Sequence, residues 1–268
     1  MENAPSYMNT SCYCGQRRVA ALFSAGHYRI VRCVACGQVR TLTPNKVPRT
    51  QEYTQADVAV YIDKEQMFRG LFRDVLEFIR RFRTSGVLLE IGAGVGLLID
   101  EAKKIGFDAY GMEPSIAGVS AAKQYFHVSL IPKTFSKKTW KKRADVIVIN
   151  HVLEHLPDPV AVLHDCHALI SPKGILVIGV PNFGSVLARA KKSRWQSLIP
   201  NQHRWHFTKH TLDTLVSMQG FRRIGIRSDN HDRGIHPVWK RPLYAILDTI
   251  SQWTANGEAI LAVYEKTS

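Results

Sequence analysis

Four of the five cysteines fall before residue 40, as Cys12-x-Cys14 and Cys33-x-x-Cys36-Gly37. Four thiolates suit tetrahedral zinc, and the 18 residues between the pairs leave room for two hairpin knuckles. Such a closed site is structural, and a degenerate, metal-free remnant is the alternative, since the first pair is one residue too close for a regular knuckle. His151, Glu154 and His155 stand at i, i+3 and i+4, so one helical turn presents them on one side. They could act as a base or hold a divalent metal, or they could merely pin a loop by hydrogen bonds. Asn201-Gln-His-Arg-Trp-His-Phe-Thr208 adds His203 and His206 as a second set of bases, or else a packed Trp205/Phe207 turn with solvated histidines. Cys166 shares a helix with Val162, Leu163 and Leu169 and reads as core.

A third constellation is Glu90-Ile-Gly92-Ala-Gly94-Val-Gly96. Glycines here let the backbone pass close under a ligand and turn tightly into a helix. The dinucleotide fingerprint G-x-G-x-x-G would need glycine at position 97, which is Leu97. A carboxylate ahead of the loop disfavours pyrophosphate and suits a cationic group such as an ammonium. Glu113 closes the next strand, where a carboxylate can take two ribose hydroxyls.

The elements that must position these groups are legible in the apolar pattern. Residues 63–83 repeat apolar side chains at helical spacing, with Arg69, Arg73, Arg80, Arg81 and Arg83 between them: an amphipathic covering helix. From Val87 the chain alternates strand and helix. Strands are expected at Val87–Ile91, Ala109–Met112, Val128–Ile131, Ala144–Ile149 and Ile175–Val180. Helices are expected at Leu97–Ile105, Ile116–Phe126 and Val160–Ile170, the last stopped by Ser171-Pro-Lys-Gly174. Repeated βα units predict an α/β fold, a Rossmann-like doubly wound, mostly parallel sheet. Residues 181–210 read as an irregular lid or insertion. A helix at Leu212–Met218, strands at Phe221–Arg227 and Ala259–Tyr264, and a helix at Leu243–Trp253 complete the expectation. Residues 1–50 form a small zinc-ribbon-like segment of short hairpins, and residues 51–268 the main domain.

Length and composition agree. The 268 residues, 45 % hydrophobic and 22 % charged, can bury a sizeable core, which argues against disorder and low-complexity polymer. No apolar run approaches a membrane span, Met1–Arg18 has no apolar signal region, and the cysteine usage fits a reducing compartment, so a cytoplasmic location is expected. The net charge of +14 reads either as a plain basic surface or as a field for an anionic partner.

Four stretches together resemble the class I S-adenosylmethionine-dependent methyltransferases over about residues 65–228. They are Leu88–Gly96, Gly111-Met-Glu-Pro-Ser115, Ala144-Asp-Val-Ile-Val-Ile-Asn-His-Val-Leu-Glu-His-Leu-Pro-Asp-Pro159 and Leu169–Gly174. The third is similar to the branch that includes ubiquinone-pathway O-methyltransferases, and the cysteine segment resembles the small zinc ribbon that precedes some relatives. The resemblance implies that Glu90, Gly92, Gly94 and Gly96 line the methionine part of the cofactor. Glu113, with Pro114 beside it, would hold the ribose, and Asn150 and His151 would border the bound cofactor. Cys12, Cys14, Cys33 and Cys36 would hold structural zinc, and His151, His155 or His203 would serve the chemistry. Two departures stand out: Ile131–Phe135 lacks the acidic residue that often receives the adenine amino group, and Lys173 replaces a glycine of the usual turn. The expected function is O-methylation of a small molecule or a glycan or lipid precursor. A zinc-ribbon RNA methyltransferase and a cofactor-binding partner subunit without turnover remain the alternatives.

Overall fold

The computed structural model describes residues 11–45, 53–229 and 256–267, so the helix expected at Leu243–Trp253 lies outside the described residues. Strands β1 (Val19–Ala25), β2 (Tyr28–Cys33) and β3 (Val39–Leu42) come first. Two helices follow, α1 (Gln55–Asp63) and α2 (Glu65–Arg80), and then β4 (Gly86–Ile91), α3 (Leu97–Lys104), β5 (Phe107–Met112) and α4 (Ile116–Phe126). The chain continues through β6 (Ala144–Asn150), α5 (Pro159–Leu169), β7 (Ile170–Pro181), α6 (Val186–Lys191), β8 (Trp205–His206) and α7 (Lys209–Ser217). Strands β9 (Phe221–Asp229) and β10 (Ala259–Lys266) close the fold.

The main sheet has the order β5-β4-β6-β7-β10-β9, with only β10 running against its neighbours. Its strands are apolar on both faces because both faces are covered: Val146 to Ile149 are wholly buried. Helices α2, α3 and α4 pack on one face and α5 and α7 on the other. Local chemistry sets the helix starts. Ser115 Oγ accepts from Gly118 N at the head of α4, and Asp158 Oδ1 from Ala161 N at α5, where Pro159 fills the first position. Arg69 ties α2 to α3 through Asp100 and Glu101.

Three expectations are corrected. The helix over 63–83 is found as α2 with the narrower bounds Glu65–Arg80, and a helix that the periodicity does not predict, α1, precedes it on a capping box between Thr54 and Asp57. Val128–Ile131 is not a strand; only a single bridge joins Ile131 to Met112, and Pro132, with no N–H, cannot extend it. After α5 the strand starts at once, at Ile170, with Lys173 in the left-handed region (φ 63°) that favours glycine.

The cysteine segment forms a sheet of its own, in the order β1-β2-β3-β8. Its fourth strand comes from the 181–210 stretch: Val39 pairs with His206 and Arg40 with Trp205. Ile30 and Val39 share a small buried cluster with Ala188, Trp195 and Leu198 of that stretch. Cys12 and Cys33 meanwhile join the main core.

Candidate functional site

The carboxyl ends of β4 and β5 carry the glycine loop and both carboxylates. Gly92 and Gly96 have φ of 74° and 78°, and neither has room for a side chain. A Cβ on Gly92 would lie 2.4 Å from Val152, and one on Gly96 2.8 Å from Val128. The loop passes over Glu113, whose carboxylate accepts from Gly94 N (2.9 Å) and Ser115 N (2.8 Å). Burial raises the Glu113 carboxyl, and the two N–H donors oppose that rise. Glu90 is buried as well, and among the described residues its Oε2 has no hydrogen-bond partner. Burial first, then the charge of Glu113, push its carboxyl up to about 8. A glycine cradle with an orphaned buried acid and a second, preoriented one fits a ligand that brings a cation and hydroxyl donors. Pro114, next to Glu113, is exposed.

Three contributors escaped the sequence reading. Gly118, the third residue of α4, lets that helix approach the loop: a Cβ there would stand 2.7 Å from Gly94 O. Tyr53, just before α1, and Tyr61, within it, lie at the same end of the sheet. The Tyr53 ring lies 3.7 Å or more from where a Gly94 Cβ would be, and Ser115 Oγ donates to Tyr53 O (3.0 Å). Burial, then the charge of Glu90, raise the Tyr61 hydroxyl to about 12. The capping box Thr54-x-x-Asp57 was the signal that could have placed α1.

The ends of β6 and β7 hold the second constellation. Asn150 lies against Gly179, where a Cβ would fall 2.1 Å from its Oδ1. His151 adopts a left-handed backbone (φ 55°) and donates its N–H to Gly179 O. Residues 153–155 make a 3-10 turn rather than a full α-helical turn, with His151 outside it, yet His151 and His155 both still border Glu154. The turn buries Glu154 completely and meets His203 from the 181–210 stretch. The His155 and His203 rings are 4.6 Å apart, edge to face. Glu154, His155 and His203 offer donor atoms within 4.8 Å of one another, a set suited to a divalent cation. His151 Nδ1 stands 3.4 Å from Glu154 Oε1, an ion-pair distance without hydrogen-bond alignment. Burial alone would raise the Glu154 carboxyl, but the His151, His203 and His155 imidazoles hold it down at about 2. Burial, partly offset by Glu154, lowers both His155 and His203, the latter to about 4. His203 Nδ1 contacts Ser197 O (3.0 Å). His206, the other candidate, points into the ribbon sheet, its Nε2 2.8 Å from Thr41 Oγ1. Trp205, in β8, and Phe207, bridged to Asn182, are buried, with Trp205 Nε1 donating to Leu156 O.

The four N-terminal thiols converge despite the short first pair. Cys12 and Cys36 lie 3.5 Å apart, Cys14 and Cys33 3.6 Å, and all four within 4.8 Å. Zn–S bonds of about 2.3 Å in a tetrahedron require S–S separations of this size. The buried Arg40 guanidinium lies in the field of all four.

The sequence profile of the family described as "Methyltransferase domain" matches residues 64–224. A ubiquinone biosynthesis O-methyltransferase of Rhodopseudomonas palustris (strain HaA2) is 33% identical over 100 residues, 35% of this chain and 40% of the relative. Another, from Photorhabdus laumondii, is 28% identical over 172 residues, 59% of this chain and 69% of the relative. The chain thus spans less than half the length of the first of these. Among solved structures, a possible histamine N-methyltransferase from Thermotoga maritima is similar at a TM-score of 0.57 and 15% identity, covering 80% of this chain and 97% of that one. A chain from the complex of the Haloferax volcanii Trm112 activator with a putative methyltransferase reaches 0.60 at 14%, covering 82% and 100%. At such identities the structures speak to fold alone.

Proposed function

Given that the chain belongs to the methyltransferase-domain family, we propose that this S-adenosylmethionine-dependent methyltransferase acts on oxygen. The acceptor is a small molecule or a glycan or lipid precursor. The observation that carries the cofactor assignment is the cradle of Gly92, Gly94 and Gly96 between a buried, orphaned Glu90 and the preoriented Glu113. When bound, the cofactor supplies an electrophilic methyl group on a sulfonium. Glu113 would accept from the ribose hydroxyls with its remaining lone pairs, Glu90 would face the ammonium, and Asn150 and His151 would border the reacting end, with Pro114 beside the ribose.

A hydroxyl acceptor must lose a proton, and His155 and His203 are the groups for it. Burial keeps both imidazoles neutral at pH 7, ready to accept, although a value near 4 makes His203 a weak base. Glu154, ionised between them, would stabilise the imidazolium that forms. The same three groups form a divalent-cation donor set, so deprotonation assisted by a metal is the variant to separate. The cysteine cluster would hold one structural zinc. Residues 1–50 act as the ribbon and 51–268 as the methyltransferase domain, with the lid at 181–210. A cytoplasmic site of action accords with the absence, among the described residues, of any helix long and apolar enough to cross a membrane.

The test is methyl transfer from labelled cofactor to pooled phenolic, glycan and lipid-precursor acceptors, with Glu113→Ala, His155→Ala and His203→Ala beside the parent. Glu113→Ala should weaken cofactor binding by roughly 1.5–3 kcal/mol. The histidine variants should bind cofactor normally and lose roughly 10²–10⁴-fold in single-turnover rate. Full rates in both histidine variants would refute the base assignment. Chelation followed by cation add-back distinguishes metal assistance, and cofactor binding without turnover on any pool would identify a partner subunit.

A further inference from the structure

Much of the charge excess falls in stretches that contain no acidic residue, and two of these, taken together, are dominated by arginine. Residues 11–45 contain Arg17, Arg18, Arg29, Arg32 and Arg40 and no Asp or Glu. Residues 183–210 contain Arg189, Lys191, Lys192, Arg194, Arg204 and Lys209, again with no Asp or Glu. Of the 36 Lys and Arg in the chain these two stretches hold 11, which leaves 25 against 22 acidic residues everywhere else. Elsewhere another acid-free basic stretch, residues 114–144, carries six lysines and a single arginine, Arg143. The first two stretches are far apart in sequence, yet they fold as one unit, through the β1-β2-β3-β8 sheet, the cluster of Ile30 and Val39 on Trp195 and Leu198, and the Phe23–Phe183 stack. That unit also carries His203 to Glu154 and donates Arg204 N–H to Glu154 O, so it is joined directly to the candidate acceptor site.

Resting on the methyltransferase reading above, we propose that the methyl acceptor carries a phosphate or diphosphate group, held by the arginines of this joint unit. Eight of the 11 basic residues are arginine, whose planar fork matches phosphate oxygens two at a time, whereas a merely solubilising surface has no such preference over lysine. Arg17, Arg18, Arg32, Lys192 and Arg194 are exposed, and the two stretches carry no Asp or Glu of their own. The Glu258 carboxylate that meets the unit accepts from Ser185 Oγ and Trp195 Nε1. An open cleft of about 640 Å³ between the second knuckle and α7 is lined by Arg32, His210 and Thr214, a size that suits a small molecule. A single-stranded nucleic-acid partner would need aromatic faces on which to stack bases, and an RNA duplex tests the double-stranded case. The aromatics here are turned inward: Trp195, Trp205 and Phe207 are buried, and no large aromatic of the two stretches is among the exposed apolar residues.

The experiment titrates the full-length protein with inorganic pyrophosphate, with a nucleoside diphosphate hexose and with a 20-base-pair RNA duplex, at low and moderate salt, in parent and in an Arg32→Ala/Arg194→Ala variant. S-adenosylhomocysteine binding is measured on the same samples. Pyrophosphate and the sugar nucleotide should bind the parent, weaken with salt, and weaken roughly tenfold in the variant while S-adenosylhomocysteine affinity stays unchanged. Failure of both phosphate probes to bind, or equal binding by the variant, overturns the proposal. RNA binding tighter than either small probe overturns it in favour of a nucleic-acid acceptor. Loss of S-adenosylhomocysteine binding in the parent would instead overturn the methyltransferase reading beneath it.

Discussion

Replacing Gly118 with alanine tests whether the start of α4 is shaped by the glycine loop. In a helix the change from glycine to alanine is ordinarily favourable by about 0.5–1 kcal/mol, because glycine loses more backbone freedom on folding. At Gly118 the added methyl would stand 2.7 Å from Gly94 O and 3.2 Å from Glu113 Cγ. Ordinary contact begins near 3.4 Å, so either the helix or the loop must yield by about 0.7 Å. Overpacking of this kind costs about 1–3 kcal/mol and should exceed the helix gain. The loop is the softer partner, and moving it pulls Gly94 N away from Glu113 Oε2. The expected result is a net loss of roughly 1–2 kcal/mol, seen as a fall in Tm of about 2–8 °C, with weakened cofactor binding. Gly70 in α2 is the control: nothing lies within 4 Å of its absent Cβ. Gly70→Ala should raise Tm and leave binding alone. Thermal unfolding and calorimetry with S-adenosylhomocysteine read both. Equal stabilisation by the two substitutions, with parental affinity, would refute the close-approach argument.

Glu90, with its carboxyl pushed up to about 8, is mostly protonated at pH 7, so binding of the cationic cofactor should expel close to one proton and tighten as pH rises toward 8. Calorimetry in buffers of different ionisation enthalpy measures it; Glu90→Gln should release none, and a parent that releases none contradicts the assignment. Protein prepared in reductant without chelator should hold about one zinc per chain, and Cys33→Ser/Cys36→Ser should lose it, as elemental analysis will decide. His203 is held at about 4 by burial, below its ordinary 6.5, so the folded state favours the neutral ring. Its stabilising share is complete above pH 6.5 and is lost as pH falls from 6.5 through 4, on the order of 3 kcal/mol. His203→Gln should flatten denaturant-measured stability over that window, and an unchanged pH profile would remove the buried-neutral description.

The sequence carried the main sheet because its strands are short apolar runs with turn residues between them; Val146–Ile149 cannot be anything but a strand covered twice. Glu90 and Glu113 were equally legible, since their meaning comes from position at strand ends. What was not legible depended on contacts between distant segments. Gly118 looks like any helical glycine until the loop passes above it. The helical reading of His151, Glu154 and His155 failed because His151 is pulled out by its hydrogen bond to Gly179 O, which leaves a tight 3-10 turn. The depressed His203 also follows from burial against residues some 50 positions away, which no local pattern encodes.

The fourth strand of the ribbon sheet has a consequence for biosynthesis. Thr41 meets His206 across a separation of 165 residues. At roughly 5–20 residues per second, the ribosome exposes the cysteine knuckles and the bare edge of β3 for about 8–33 s before β8 exists. During that interval the thiols are free to meet a metal ion or an oxidant, and the edge is free to pair with a neighbouring nascent chain. Yield of active protein should then depend on the metal available while the chain is being made more than on metal added afterwards, when β8 has already paired with β3.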